Sequence, residues 1–108
     1  MNKRIEKAAR RYLVNMGYDM LGSIDDFLVC DTEEGITFVH VLYDKDKFLS
    51  TDREELLSMF EEAQVAWFMQ GVHDVDIPIL CDELSFRILS EDRALLRHHV
   101  DINFSEVL

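Results

Sequence analysis

The amino-acid sequence predicts an α/β protein, a β-sheet with two packed helices, and two observations indicate this class. Two stretches, at about 3–16 and 52–70, carry apolar side chains at helical spacing. Four other runs are rich in β-branched and aromatic residues or alternate between apolar and polar residues, as strands do. The predicted order is therefore helix-strand-strand-helix-strand-strand. No repeat or domain boundary interrupts it, so residues 1–108 are expected to form one domain.

The first predicted helix is followed by two predicted strands. The helix ends near Gly17, because glycine readily adopts the left-handed conformation that closes a helix. The strands are Asp26–Cys30 and Ile36–Tyr43, and the second is apolar on both faces, as in a strand covered on both sides. The apolar stripe of the helix consists of Ile5, Ala9, Tyr12, Leu13 and Met16.

The second predicted helix begins at a capping box, Thr51-x-x-Glu54, and ends near Gly71. The residues after it alternate as a half-buried strand over about 83–88 and as a last strand over about 96–102. An exposed edge strand over 95–103 could pair with a second copy, so a homodimer is compatible with the sequence. The inward positions of this helix are Leu56, Leu57, Phe60, Ala63, Trp67 and Phe68.

Charge excludes some classes of function. The chain has 22 acidic and 11 basic residues, a net charge of −11. Because phosphate binding needs the opposite sign, nucleic acid should bind weakly at most. Residues 1–18 are nevertheless basic, with five basic side chains against one acidic. This basic helix could face solvent, an acidic surface of its own domain or a partner.

Other features argue against a membrane or secreted protein. No apolar run approaches the roughly 18–20 residues of a spanning helix, so no membrane partner is expected. The N-terminus lacks the apolar region of a signal peptide, so the expected location is the cytoplasm. Cys30 and Cys81 are isolated from each other and are expected to be buried as small apolar residues.

Four segments resemble the YraN-like family of small bacterial proteins. They are Glu6-x-x-Ala9-x-x-x-Leu13-x-x-x-Gly17-Tyr18, Ile24-Asp25-Asp26-Phe27-Leu28-Val29, Phe38-Val39-His40-Val41-Leu42, and Pro78-Ile79-Leu80-Cys81-Asp82-Glu83-Leu84. That family is similar to archaeal Holliday-junction resolvases and belongs to the restriction-endonuclease-like superfamily. The resemblance therefore implies a restriction-endonuclease-like mixed β-sheet with two packed helices.

The resemblance also implies where a metal-dependent nuclease site would lie. The superfamily uses an Asp on one strand, a Glu-x-Lys on the next and often a helix Glu, which together hold Mg²⁺. This sequence keeps Glu6 and Asp26 but has His40 at the second carboxylate position and Leu42 at the lysine position. The remnant site would be Glu6, Asp26 and His40, with Asp26 and His40 as the remaining metal ligands. The simpler interpretation pairs Glu6 with Arg10 and His40 with a neighbouring carboxylate such as Asp26.

The resemblance and the net charge lead to three hypotheses about function. The leading hypothesis is a degenerate, catalytically inactive nuclease-like protein without a cofactor, which acts in binding or assembly with an unidentified protein partner. The alternative is an Mg²⁺- or Mn²⁺-dependent DNA or RNA endonuclease with relocated catalytic residues, for which Asp82, Glu83, Lys45 and Lys47 are candidates. A third hypothesis, from net charge alone, is an acidic decoy that presents a phosphate-like surface to DNA-binding proteins.

Overall fold

The computed structural model describes residues 1–71 and 76–105. Two helices and five strands follow one another in the order α-β-β-β-α-β-β. The helices are α1 (Lys3–Asn15) and α2 (Arg53–Phe68). The strands are β1 (Asp19–Ile24), β2 (Phe27–Thr32), β3 (Gly35–Asp44), β4 (Ile79–Ser90) and β5 (Arg93–His99).

The five strands form one mixed sheet in the order β1-β2-β3-β4-β5. All neighbouring strands are antiparallel except β3 and β4, which run parallel on either side of α2 in the sequence. Parallel strands need a long crossover, and here that connection contains the second helix. The predicted class, an α/β protein with two helices and a mixed sheet, is confirmed.

The predicted order of elements is wrong at one point, because the sequence analysis missed β1. This edge strand buries no residue fully, and its positions alternate between exposed and half-buried. It also contains Gly22 and an irregularity in its pairing with β2 between Met20 and Gly22. Glycine and low apolar content weaken a strand pattern, so the periodicity of this segment indicated no strand.

Helix α1 packs on one face of the sheet through Ile5, Ala9 and Leu13, which are buried. The Asn2 side chain caps its first turn by accepting hydrogen bonds from backbone N–H groups of residues 4 and 5. Met16 was predicted to belong to the buried stripe, which is wrong: its side chain is 57% exposed. Met16 is the residue that caps the helix, so the helical periodicity no longer holds there.

Helix α2 packs on the opposite face of the sheet. Its buried residues Leu56, Phe60 and Ala63 belong to a cluster that includes Phe38 of β3. Leu57 and Trp67 pack against this cluster as predicted, but the inward position predicted for Phe68 is wrong, because it lies with Val65 and Met69 on the outer side of the helix. The predicted capping box is wrong, because Asp52 caps this helix by accepting from the backbone N–H groups of residues 54 and 55. The sheet is thus covered by one helix on each face, and neither helix is long and apolar enough to cross a membrane.

Strands β4 and β5 differ from the prediction in two ways. Residues 81–86 of β4 are buried on both faces, not half-buried, because α1 and α2 cover the strand from opposite sides. Strand β5 ends at His99, so the predicted extension to residue 102 is wrong. Ile102 instead turns back and donates its backbone N–H to Cys81 O at 2.8 Å.

The expectation for the two cysteines is confirmed. Cys30 and Cys81 are free thiols and both are buried. Burial raises the pKa of each thiol to about 12. Both sulfurs therefore stay protonated and pack as apolar groups.

Gly35 directly precedes the first residue pair of the parallel ladder between β3 and β4, which is Ile36 with Ile79. Its φ is +147°, and an added Cβ would lie 2.2 Å from the backbone oxygen of Pro78. That oxygen accepts the backbone N–H of Ile36 at 2.9 Å, next to the first residue pair of the parallel ladder. A side chain at position 35 would therefore push the two strands apart.

We expect Gly35→Ala to lower the free energy of unfolding by about 2–4 kcal/mol, from overpacking together with an unfavourable φ. Gly17→Ala is the matched control, because Gly17 has φ +94° but nothing within 4 Å of an added Cβ. Its cost should be only the backbone strain of about 1–2 kcal/mol. Urea unfolding of both variants measures the difference, and equal losses would show that the Pro78 contact is unimportant.

Candidate functional site

The structure does not bring Glu6, Asp26 and His40 together. Glu6 forms an ion pair with Arg10 one helical turn away, with 3.8 Å between Oε1 and Nη2, as the simpler interpretation expected. Asp26 lies in the turn before β2, with its side chain 59% exposed and Oδ1 3.9 Å from the amino group of Met1. His40 is buried on the α2 side of the sheet.

The pleat of the sheet explains why Asp26 is not the partner of His40. Phe27 pairs with His40 across β2 and β3, so both side chains point to the α2 face, where their rings lie 5.0 Å apart. Asp26 precedes Phe27 and its backbone oxygen accepts from Val41, a residue of the opposite face. A carboxylate does hold His40, but the expectation that Asp26 supplies it is wrong.

The partner of His40 is Glu83 of β4. His40 Nδ1 and Glu83 Oε2 are 3.0 Å apart, and both residues are less than 5% exposed. Glu83 Oε1 accepts the backbone N–H of Thr51 at 3.1 Å, just before α2 begins. Because a carboxylate only accepts hydrogen bonds, the proton of this contact is on His40 Nδ1. The pair connects β3, β4 and the start of α2.

The hydrogen bonds of Glu83 keep it ionised. Burial alone would raise the pKa of this carboxyl, but hydrogen bonds from His40 and Thr51 outweigh it and hold the pKa below its ordinary value of 4.5. Glu83 is thus a buried anion whose two oxygens already have protein donors.

Asp82 forms a second buried cluster on the opposite face of the same strand. Its Oδ2 accepts from the Tyr18 hydroxyl at 2.6 Å and lies 2.7 Å from His98 Nε2. Its Oδ1 accepts the backbone N–H of Asp101 at 2.9 Å. The side chain is 1% exposed, so three donors surround a carboxylate that has no contact with solvent.

Helix α1 joins this cluster through Tyr12. Asp82 requires a proton on His98 Nε2, so in the neutral imidazole Nδ1 accepts from the Tyr12 hydroxyl, which is 3.0 Å away. The hydrogen bonds that link Asp82 to His98 and His98 to Tyr12 have the connectivity of a catalytic triad, with tyrosine in the position of the nucleophile.

The tyrosines of this cluster are held in the neutral form. Burial, together with the charge of Asp82, raises the pKa of Tyr12, and burial with the hydrogen bond to Asp82 raises that of Tyr18. A nucleophile needs the opposite shift. The arrangement therefore acts as a hydrogen-bonded clamp between α1, β4 and β5.

The two clusters lie on opposite sides of the sheet because Asp82 and Glu83 are consecutive residues of one strand. No metal ion could contact both carboxylates. In the described ranges, 1–71 and 76–105, no group of three or more His, Cys, Asp or Glu side chains is arranged to hold a metal.

The sequence analysis singled out Asp82 and Glu83 only as relocated nuclease residues and missed their partners Tyr18 and Thr51. One signal was available: two successive acidic residues inside an apolar strand must both find partners if each face is covered. His98 and His99 are consecutive residues of β5 and so point to opposite faces of the sheet, and His98 is the one that reaches Asp82.

Comparisons of the chain with protein-family models, with curated proteins and with solved structures found no match. The resemblance to the YraN-like family therefore stays a prediction.

We expect Asp82→Asn to destabilise the protein by about 1–3 kcal/mol, because an amide NH₂ would face a donor in a dry site. Tyr12→Phe is the control, since it removes one hydroxyl at the half-buried edge of the same cluster. Its cost should not exceed about 1.5 kcal/mol. Chemical denaturation measures both values. An Asp82→Asn variant as stable as the wild type would mean that the clamp contributes nothing.

Glu83 gives a prediction about acid stability. A carboxyl whose pKa is lowered on folding contributes stability that is present above its ordinary value of 4.5 and is lost as the pH falls through the folded-state value. Gln at this position does not titrate. The stability advantage of the wild type over Glu83→Gln should therefore be largest near neutral pH and shrink below pH 4.5.

Urea unfolding at a series of pH values tests this expectation. Asp26→Asn is the control, because this exposed carboxylate should change stability by no more than about 0.5 kcal/mol at neutral pH. An advantage over Glu83→Gln that stays constant down to acid pH would contradict the proposed role of the His40 and Thr51 hydrogen bonds.

Proposed function

We propose that this chain is a binding or assembly protein on a degenerate restriction-endonuclease-like fold, similar to the YraN-like family, and that it does not cleave nucleic acid. Two features support the fold assignment. Strand β3, which carries His40, is the neighbour of β2, which begins directly after Asp26, and α2 connects β3 to a parallel strand. The sequence resemblance supplies the family, and the mixed sheet with a helix on each face is compatible with it.

The observation that carries the proposal is the state of the carboxylates. Mg²⁺-dependent cleavage needs oxygen ligands that converge and have lone pairs to offer. Asp82 and Glu83 point to opposite faces, and each is surrounded by protein donors. Asp26 is turned away from His40, and Leu42 supplies no charge at the lysine position.

The competing function is a nuclease with relocated catalytic residues. Its lysines would come from Lys45 and Lys47, which are exposed in the loop after β3. Its carboxylates would be Asp82 or Glu83, which would first have to give up their hydrogen bonds. Breaking a buried charge pair costs about 3–5 kcal/mol, a large part of the stability of an ordinary domain.

We expect no cleavage above background when the purified protein is incubated with single-stranded, duplex or branched DNA or with RNA, in Mg²⁺ or Mn²⁺. Removing one electrostatic donor from a transition state typically costs about 10²–10³ in rate, and here two groups differ together. Product analysis on denaturing gels measures the outcome.

Variants distinguish true activity from a contaminant. Cleavage that persists through purification and disappears in Asp26→Ala or Glu83→Gln would overturn the proposal and support the relocated nuclease. Cleavage that is the same in the wild type and in both variants would come from a contaminating enzyme and leaves the proposal in place.

A further inference from the structure

A groove of about 820 Å³ lies between α1 and the hairpin formed by β4 and β5. Its floor and walls include the apolar side chains of Ile5, Phe86, Ile88 and Leu96. The groove stops at His98, the next residue of β5 on this face, because its hydrogen bond to Tyr12 joins α1 to the strand directly.

The groove exists because one helix cannot cover the whole width of a five-stranded sheet. Helix α1 covers this face as far as Phe86, which is 3% exposed, whereas Leu96 on the edge strand is 38% exposed. At the level of Phe86 only the edge strand is uncovered, but toward the turn between β4 and β5 both strands are, since Ile88 is half-buried and its partner Ala94 is exposed. There the uncovered part is about two strands wide, roughly 10 Å, which is about the diameter of one helix with its side chains. It therefore has room for a second helix beside α1.

The side of α1 that faces the groove is basic. Arg4, Lys7 and Arg11 line it and are exposed, and none of them forms an ion pair with a carboxylate of the described residues. Arg93 adds a fourth positive charge from the hairpin, but Glu91 and Asp92 of the turn also line the groove, so its charged lining is net positive by two charges, four basic against two acidic side chains. A segment that fits here should be helical, apolar on one side and acidic beside it.

The outer face of α2 has these properties. Val65 and Met69 are 60% and 82% exposed, and they form one surface with Glu61, Gln64 and Phe68. These five residues follow the spacing i, i+3, i+4, i+7, i+8, which is one stripe of a helix. Helix α2 is thus apolar on its outer side as well as on its core side, with an acidic residue in the outer stripe.

The groove and this α2 stripe cannot meet within one molecule, because α1 and α2 pack on opposite faces of the sheet. We propose that the α2 stripe of one copy docks into the α1–hairpin groove of another. Such a contact is head-to-tail, so it builds chains or closed rings rather than an isologous dimer. This proposal rests on the proposed function in binding or assembly, and it names a second copy of this chain as the partner.

Nucleic acid fits the groove less well. The aromatic side chain in its lining, Phe86, is buried and offers no face for base stacking. The net charge of −11 also repels a polyanion that extends beyond the groove. Between two copies the same repulsion is screened beyond about 8 Å at physiological salt, while charges in direct contact still attract.

Reversal of charge on each surface tests the interface. The groove variant carries Arg4→Glu, Lys7→Glu and Arg11→Glu, and the stripe variant carries Glu61→Lys and Gln64→Lys. A combined variant carries all five substitutions. The control, Lys3→Glu with Lys45→Glu and Lys47→Glu, makes the same charge change as the groove variant at exposed positions outside both surfaces. Circular dichroism establishes that each variant is folded.

Sedimentation velocity over a range of protein concentrations gives the readout. We expect wild type and control to associate with micromolar or weaker affinity, as is usual for a small interface. The groove and stripe variants should each associate at least about tenfold more weakly. The combined variant should regain association because its charges are complementary again, and a mixture of the two single-surface variants should form mixed complexes.

Several results would overturn the proposal. They are a wild type that stays monomeric up to about 1 mM, single-surface variants that associate like the control, and a combined variant no stronger than its parents. Binding of single-stranded DNA in the groove in preference to a second copy would also overturn it. If the protein stays monomeric and does not cleave nucleic acid, only the proposed interface is wrong. If it cleaves nucleic acid, the proposed function is wrong, and the sedimentation data alone decide whether the interface exists.

Discussion

The burial of two consecutive carboxylates in β4 is the constraint on which the rest of the structure depends. A charge without partners in a dry interior costs more free energy than a domain can supply, so Asp82 and Glu83 must each collect hydrogen-bond donors. The donors come from separate parts of the chain: the segment after α1, strand β3, the loop before α2, strand β5 and the turn after it. Strand β4 thereby fixes how both helices and the edge strand are placed.

The same constraint decides what the site can do. A carboxylate that organises a fold and one that binds a metal compete for the same lone pairs. In this chain the buried carboxylates are committed to protein donors, and the exposed Asp26 faces the amino group of Met1 and not His40. The hydrogen bonds from His40 and Thr51 hold the pKa of Glu83 below its ordinary value, so this carboxyl stays ionised. The ionised carboxylate is in turn a strong acceptor for those same two donors. The lone pairs of Asp82 and Glu83 that a metal would need are thus used in hydrogen bonds within the fold.

Sequence reasoning reached the class of fold but not the site, for physical reasons. The stripes of α1 and α2 and the apolar strand β3 carry strong periodic signals, and the structure contains all three. Strand β1 carries a weak signal because an edge strand buries little. The partner of His40 depends on the parallel register of β3 and β4, which pairs it with a residue 43 positions away. The local spacing of residues contains no information about that register. The sequence analysis therefore chose Asp26, which is nearer in the sequence, as the carboxylate partner of His40, whereas the partner is Glu83.

The fold places the basic residues of α1 and part of the acidic excess of the chain on different surfaces. Among the basic residues of α1, Arg10 finds a carboxylate within the described structure, while Arg4, Lys7 and Arg11 line an open groove. Unpaired cations beside an exposed apolar strip add nothing to the stability of an isolated molecule, and apolar exposure of this kind commonly marks an interaction surface. The acidic excess lies elsewhere on the same chain, part of it on the outer face of α2, behind the sheet from the groove. Complementary charges on opposite faces of the sheet cannot pair within one molecule, and solvent and counter-ions screen them in the monomer. The proposed contact between two copies would bring them together.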